Sequence, residues 1–339
     1  MKHGMKHGTR HGRPGTRRGR PALWLVLGVL LAAGAATIAY AAGYPQRPIT
    51  MIVPYSAGGR TDLTGRVLAQ SLKNQLGQPV VIENKPGAGG VIGAKELGRA
   101  LPDGYTLGLF STGFVVTQYT MPVVTTLRDY EPIALVNVDP AVLGIGGSSP
   151  FKGVKDLVAY GREHPGKLKV GVQAGASSHL FAAAFARAAG LTVSYVPFKG
   201  DAENVVALAG GHIDAFVSVP VAFRSLVDAG KVRLLAVAAE KPLAGFEGVP
   251  TFRSEGVDLL IASWHGVFSP KNTPAAVVEV MERALQQTTQ DPELLKSAER
   301  LLIGIEFRNR TQFKAFLQEE DERIKRLVQD LGLQSAPKR

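Results

Sequence analysis

Two rhythms alternate along the chain. Short apolar runs rich in β-branched residues are followed by longer stretches in which apolar positions recur every three or four residues. The first rhythm suits a buried strand and the second an amphipathic helix. Residues 49–53, 80–83 and 105–110 read as strands. After the first, Leu63, Val67, Leu68, Leu72 and Leu76 fall on one helical face, and residues 91–100 form a second helix. Residues 132–138 and 142–145 are strand-like. Gly146, Gly147, Ser148, Ser149 and Pro150 then punctuate the chain, a suitable crossing between domains.

The rhythm restarts after this break. Helices over residues 154–163, 179–189, 202–209 and 222–229 alternate with strands over 168–172, 193–196, 213–217 and 234–238. Residues 259–268 are strand-like, and Pro274 opens a helix at a position that tolerates proline. A last helix turns Phe313, Phe316, Leu317, Ile324, Leu327, Val328 and Leu331 to one side. Alternating strands and helices imply βαβ units and parallel pairing, so the expected fold class is α/β, in two modules.

Residues 1–41 stand outside this pattern. The first 20 carry seven Lys or Arg and no acid, residues 23–36 are apolar, and Ala39-Tyr40-Ala41 fits a small-x-small cleavage site. That order is expected of a secretory signal peptide cleaved near Ala41, with the periplasm as destination; a retained N-terminal anchor is the alternative. The net charge of +11 falls to +4 without this segment, because 32 basic residues then face 28 acidic ones. Nucleic-acid binding thereby loses its main support. The absence of cysteine excludes thiol chemistry and Cys-ligated metals and leaves stability to the core.

Four loops at strand ends could carry chemistry. Pro54 to Asp62 joins a strand to a helix through Gly58 and Gly59. On the residues alone two readings are open: a tight turn capped by Asp62 or Thr61, or an anion cradle built on helix N–H groups. Tyr55 is large enough to line a cleft or to pack in the core. Gly175-Ala176-Ser177-Ser178-His179 offers hydroxyls and N–H groups for a second oxyanion, or a plain helix cap. Its Ser178 and His179 also raise an exported hydrolase, although adjacent residues seldom meet as nucleophile and base. Ser111 and Thr112 end a third strand with hydroxyl donors. The glycines of 87–93 miss the dinucleotide spacing by one residue. No histidine has metal-ligand spacing, and no carboxylate pair is placed as acid and base, so neither cofactor nor metal is expected.

Longer motifs carry a resemblance. Val53-Pro54-x-x-Ala57-Gly58-Gly59-x-x-Asp62, Glu83-Asn84-Lys85-Pro86-Gly87-Ala88-Gly89-Gly90, Pro102-Asp103-Gly104-Tyr105-Thr106-Leu107, Ser178-His179-Leu180 and Val196-Pro197-Phe198-Lys199-Gly200 occur in this order. Together they resemble the solute-binding proteins of tripartite tricarboxylate transporters, the Bug family. The resemblance implies a two-lobed periplasmic binding protein of the Venus-flytrap kind, each lobe a mostly parallel sheet flanked by helices. Lobe 1 would take residues 42–146 and 240–339, and lobe 2 residues 147–239. It implies a monomer without catalysis. Such a monomer delivers a di- or tricarboxylate, or an aromatic or amino-acid carboxylate, to a membrane permease; a sensor kinase is the alternative partner. By the same resemblance Ala57, Gly58 and Gly59 hold one carboxylate through backbone N–H groups, and Ser177, Ser178 and His179 hold the distal end. The chain departs from the family at Ser56, in place of Pro, and at Ser218, where relatives carry an acid beside the cleft.

Overall fold

The computed structural model describes Met1, Gly4 and residues 43–334 except 123, 124, 244 and 247. The expected signal peptide and its cleavage site thus lie, but for Met1 and Gly4, outside the described residues. Among the described residues no helix is long and apolar enough to cross a membrane.

Tyr44–Arg339 form one compact unit built on two sheets. The first contains β1 (Ile49–Val53), β2 (Val80–Asn84), β3 (Thr106–Ser111), β4 (Tyr130–Pro140), β10 (Ala262–Pro270) and β11 (Ile305–Arg308), in the order β11-β4-β10-β3-β1-β2. The second contains β5 (Val142–Gly146), β6 (Lys169–Val172), β7 (Ser194–Pro197), β8 (Ala215–Ser218) and β9 (Val232–Val237), in the order β7-β6-β8-β5-β9. Helices α1 (Arg60–Leu76), α2 (Val91–Arg99), α3 (Thr112–Thr120), α8 (Ala275–Thr288), α9 (Pro292–Leu301) and α10 (Arg310–Asp330) belong to lobe 1. Helices α4 (Val154–Glu163), α5 (Ser177–Ala189), α6 (Asp201–Ala209) and α7 (Pro220–Asp228) belong to lobe 2.

Both sheets are mixed, not mostly parallel. In lobe 1, β1 runs parallel to β2 and β3, while β10 and β11 pair antiparallel. In lobe 2, β6 runs parallel to β7 and β8, while β5 pairs antiparallel with β8 and β9. β5 and β10 each enter a sheet directly from the other lobe instead of through a βα unit, and both run against their neighbours; β11 is an antiparallel edge strand that follows α9. The first crossing sits earlier in the chain than the glycine-rich break suggests, and the return sits later than residue 240. The first falls at Pro140–Ala141, because β5 already pairs in the second sheet, and Gly146-Gly147 turns within lobe 2. The return falls at Ile261–Ala262, since Thr251 bridges Val237 and Phe252 packs against Phe185 of α5. The two crossing segments touch: the Ala141 N–H donates to the Ile261 carbonyl at 2.9 Å.

Three elements stand outside the expected pattern. Helix α3 is Thr-Gly-Phe-Val-Val-Thr-Gln-Tyr-Thr, a β-branched run with poor helix propensity, and it reads as a loop after β3. Burial decides otherwise, since Phe114, Val115 and Val116 are all in the core. Neither α9 nor β11 is foreseen either; β11 is only four residues long and only partly buried.

The aromatic side of lobe 1 shows how the last helix is fixed. Phe313 of α10 is fully buried, with rings of Trp264 and Phe268 at 5.8 and 5.3 Å. It lies on Gly266 of β10, where an added Cβ would come within 2.1 Å of the ring. Phe313→Ala should therefore leave a cavity and cost about 3–5 kcal/mol in urea denaturation. A cost near zero would mean that α10 is not anchored here.

Candidate functional site

The parallel parts of the two sheets aim their C-terminal strand ends at one another. In α/β sheets those ends carry the ligand-facing loops. Here they enclose a cleft of about 530 Å³ lined from both lobes. Lobe 1 contributes the β1–α1 loop, the β2–α2 loop and the start of α3; lobe 2 contributes the β6–α5 and β7–α6 loops. The first turns of α1, α5 and α6 thus open on one space, with Arg60 and Thr61, Ser177, and Asp201 and Ala202 in its wall. Their free N–H groups and positive dipole ends favour an anion.

The β1–α1 loop is held by a carboxylate below it. Asp62 is 2 % exposed. It accepts from the Gly58 N–H at 2.8 Å, from Arg66 Nε at 2.9 Å and from Asn84 Nδ2 at 2.9 Å. Asn84 also donates to the Tyr55 carbonyl at 3.1 Å. Burial works against the charge of Asp62, but these bonds outweigh it and hold the carboxyl below its ordinary range. Gly58 takes φ +77°, which a side chain rarely adopts, and so bends its N–H down to Asp62.

This geometry revises the expected roles. The Gly58 N–H serves Asp62, and the Gly59 N–H bends back toward the Ser56 carbonyl at 3.3 Å. Gly59 is the N-cap and Asp62 lies inside the helix, so neither Thr61 nor Asp62 caps it. The first helical bond runs from Leu63 N to Gly59 O. The N–H groups left without a helical acceptor are those of Arg60, Thr61 and Asp62. Tyr55, Ser56, Ala57 and Gly59 line the cleft; Gly58 and Asp62 do not.

The other candidates divide in the same way. Ala176 and Ser177 line the cleft. Ser178 is buried, and its Oγ accepts from the Gln173 N–H at 3.0 Å, bracing the loop. The His179 Nδ1 lies 3.4 Å from the Gly175 N–H, and its ring stands edge-on to Tyr195 at 5.0 Å. Ser178 and His179 therefore do not form the nucleophile–base contact of a hydrolase. Gly175 meets lobe 1 instead, its carbonyl accepting from Thr120 Oγ1 at 2.8 Å. Thr112 accepts from the Trp264 N–H at 3.0 Å and serves the sheet. Ser218 is buried and donates to Asp201 at 2.8 Å; Asp201 itself lines the cleft, so that wall keeps an acid despite Ser218.

Three hydroxyls converge where Gly113 leaves room. An added Cβ there would lie 3.1 Å from Tyr55 Oη, 3.4 Å from Ser111 Oγ and 3.7 Å from Ser177 Oγ. Ser111 donates to Tyr55 at 3.3 Å, leaving the phenolic hydrogen unspent on that bond. Burial pushes the Tyr55 phenol up, which keeps it neutral and able to donate.

Two further features lie outside the residues expected at the site. Arg60 stands in the cleft wall, donates from Nη2 to Ser177 Oγ of the other lobe, and keeps a buried Nη1 without a partner. Its position is an open one in the Gly59-x-x-Asp62 motif. Beneath it runs a buried polar chain. Thr61 Oγ1 lies 3.0 Å from His265 Nε2, and His265 Nδ1 lies 2.5 Å from Asn137 Oδ1. Asn137 Nδ2 donates to Asp139 at 2.9 Å, and Asp139 accepts from the Gly304 N–H at 2.6 Å. With Asn137 Oδ1 as acceptor, the network assigns the hydrogen of His265 to Nδ1. Burial, reinforced by the Arg60 charge, holds His265 well below the ordinary histidine range and so neutral. The chain ends beside the first lobe crossing at Pro140.

Residues 64–333 match the sequence profile of the tripartite tricarboxylate transporter family receptor. The Bordetella pertussis protein BugT is 32% identical over 317 residues, covering 91% of this chain and 97% of BugT. The structure of the periplasmic binding protein BugD matches with TM-score 0.80 and 31% identity, covering 86% of this chain and all of BugD. Two structures from Rhodopseudomonas palustris match at 27% identity: Rpa4515 with adipate, TM-score 0.82, and MatC with bound malate, TM-score 0.77. They cover 86% and 84% of this chain, respectively, and each is covered in full.

The polar chain under the loop has a pH signature. Burial lifts the Asp139 carboxyl to about 6, against the opposing pull of Gly304, Asn137 and Arg60. The folded protein then holds a proton that the unfolded chain has released. The associated stability is full below about pH 4 and is lost as pH rises through about 6. Comparing wild type with Asp139→Asn by urea denaturation across this window should show wild type losing about 3 kcal/mol relative to the variant. Parallel profiles would contradict a protonatable Asp139.

Proposed function

The chain belongs to the tripartite tricarboxylate transporter receptor family, a family of periplasmic binding proteins and not of enzymes, and from that premise we propose that it captures a small carboxylate between its lobes. The observation that carries this reading is the opening of helix N-termini from both lobes on one cleft. An anion there meets N–H groups and positive dipole ends from two bodies at once, and binding favours their approach. A volume of about 530 Å³ suits a small organic ligand. Relatives that hold malate and adipate support an acid of that class, with two carboxylates.

The energetics allow it without metal or covalent chemistry. Charge-assisted hydrogen bonds contribute roughly 1.5–3 kcal/mol each. Four of them, less the cost of ordering, reach the ~8 kcal/mol of a micromolar complex. The two strand crossings at Pro140–Ala141 and Ile261–Ala262 are natural hinges. Closure about them would present a surface to the membrane permease of a tripartite transporter, the partner that family membership supports. Residues 1–41 would serve as the export signal.

Thermal denaturation tests the capture step. Protein freed of co-purified ligand by unfolding and refolding should be stabilised by one or more acids from a panel that includes malate, succinate, adipate and benzoate. An acid at a hundred times its Kd should add about 2.7 kcal/mol, a shift of several degrees. No shift with any carboxylate would contradict the reading.

A further inference from the structure

We propose that Arg60 is the specificity-determining residue of this cleft, reading a ligand carboxylate directly with its guanidinium. The assignment rests on the carboxylate-receptor reading and adds a named side chain to it. Arg60 is the first residue of α1, at the positive end of the helix dipole. A cation is disfavoured there unless an anion accompanies it. Among the described residues Arg60 forms no ion pair. Asp139 feels its charge but is engaged by Asn137 and Gly304, and Asp201, in the opposite wall, is engaged by Ser218. Buried Nη1 has no hydrogen-bond partner at all. A buried, charged donor left in this condition is costly.

The surroundings supply the rest of a carboxylate site. Nη2 reaches across the cleft to Ser177 Oγ. Tyr55, Ser111 and Ser177 bring their hydroxyls together over Gly113. Once the lobes part and free Nη1, one carboxylate oxygen can take it, while the other shares Nη2 with Ser177 or replaces it. That two-point contact matches the planar fork of guanidinium, which an ammonium cannot reproduce. Because Arg60 belongs to lobe 1 and Ser177 to lobe 2, the same contact ties the lobes over the ligand. Ser177 then positions the guanidinium, and Arg60 supplies the charge.

Isothermal titration of wild type, R60Q, R60K and S177A tests this. The probes are malate and adipate, each beside the acid of equal length that lacks one carboxylate, 3-hydroxybutyrate and hexanoate. Wild type should prefer the dicarboxylate in at least one pair. R60Q should weaken that binding by at least about tenfold and reduce the preference by a similar factor. R60K should recover less than half of the loss on a logarithmic scale, and S177A should lose less than R60Q. Thermal melts of the ligand-free variants separate lost binding from lost folding. If R60Q folds, binds the dicarboxylate within about threefold of wild type and keeps the preference, the assignment is overturned while the receptor reading stands. If R60K matches wild type, the two-point contact is overturned. If wild type binds none of the four acids, this assignment is overturned, while the receptor reading falls only if the wider carboxylate panel gives no thermal shift either.

Discussion

The loop that faces the cleft depends on one buried carboxylate. Asp62 gathers Gly58, Arg66 and Asn84, and through Asn84 it also fixes the Tyr55 carbonyl. Each bond ties a different element: the loop itself, the next turn of α1 and the end of β2. The Gly58 N–H is thereby spent on Asp62, and the N–H groups left without a helical acceptor are those of Arg60, Thr61 and Asp62. Charge complementarity at the cleft is therefore built in two layers. An acid below shapes the loop, and a cation with helix N–H groups stands above in the cleft wall.

The second constraint is the link between the lobes. Contact across the cleft is made by few groups, chiefly Arg60 with Ser177 and Thr120 with Gly175. Helix α3 packs on α5, and buried apolar residues of both helices belong to one cluster that runs from one lobe into the other. The polar chain from Thr61 through His265 and Asn137 to Asp139 runs from the binding loop to the first crossing strand. Its members are buried and mutually satisfied, so it stiffens the path between loop and hinge.

Much of this was legible in the residues. The alternation of strands and helices gave the α/β class, and the bounds of β1 and α4 coincide with the expected ones. Mixed pairing was not legible, because a strand's apolar run does not state its direction. Nor was the first crossing, since Gly146-Gly147 looks like a linker while Pro140–Ala141, set between two apolar strands, does not. At the site, loop positions were legible but donor roles were not. A glycine pair advertises free N–H groups, and only coordinates reveal that Asp62 and Ser56 occupy them. Arg60 left one usable signal: a cation at the first helical position, where the dipole favours acids. Thr61, Asn137 and His265 are far apart in sequence and meet only through β4 and β10.

If an organic acid occupies the space between the lobes, mass spectrometry of small molecules released by denaturing the purified protein should detect it without a choice of probe. Release of a carboxylic acid, up to one per chain, is expected. Release of a neutral or cationic solute in that amount, with no acid, would contradict occupancy by an acid.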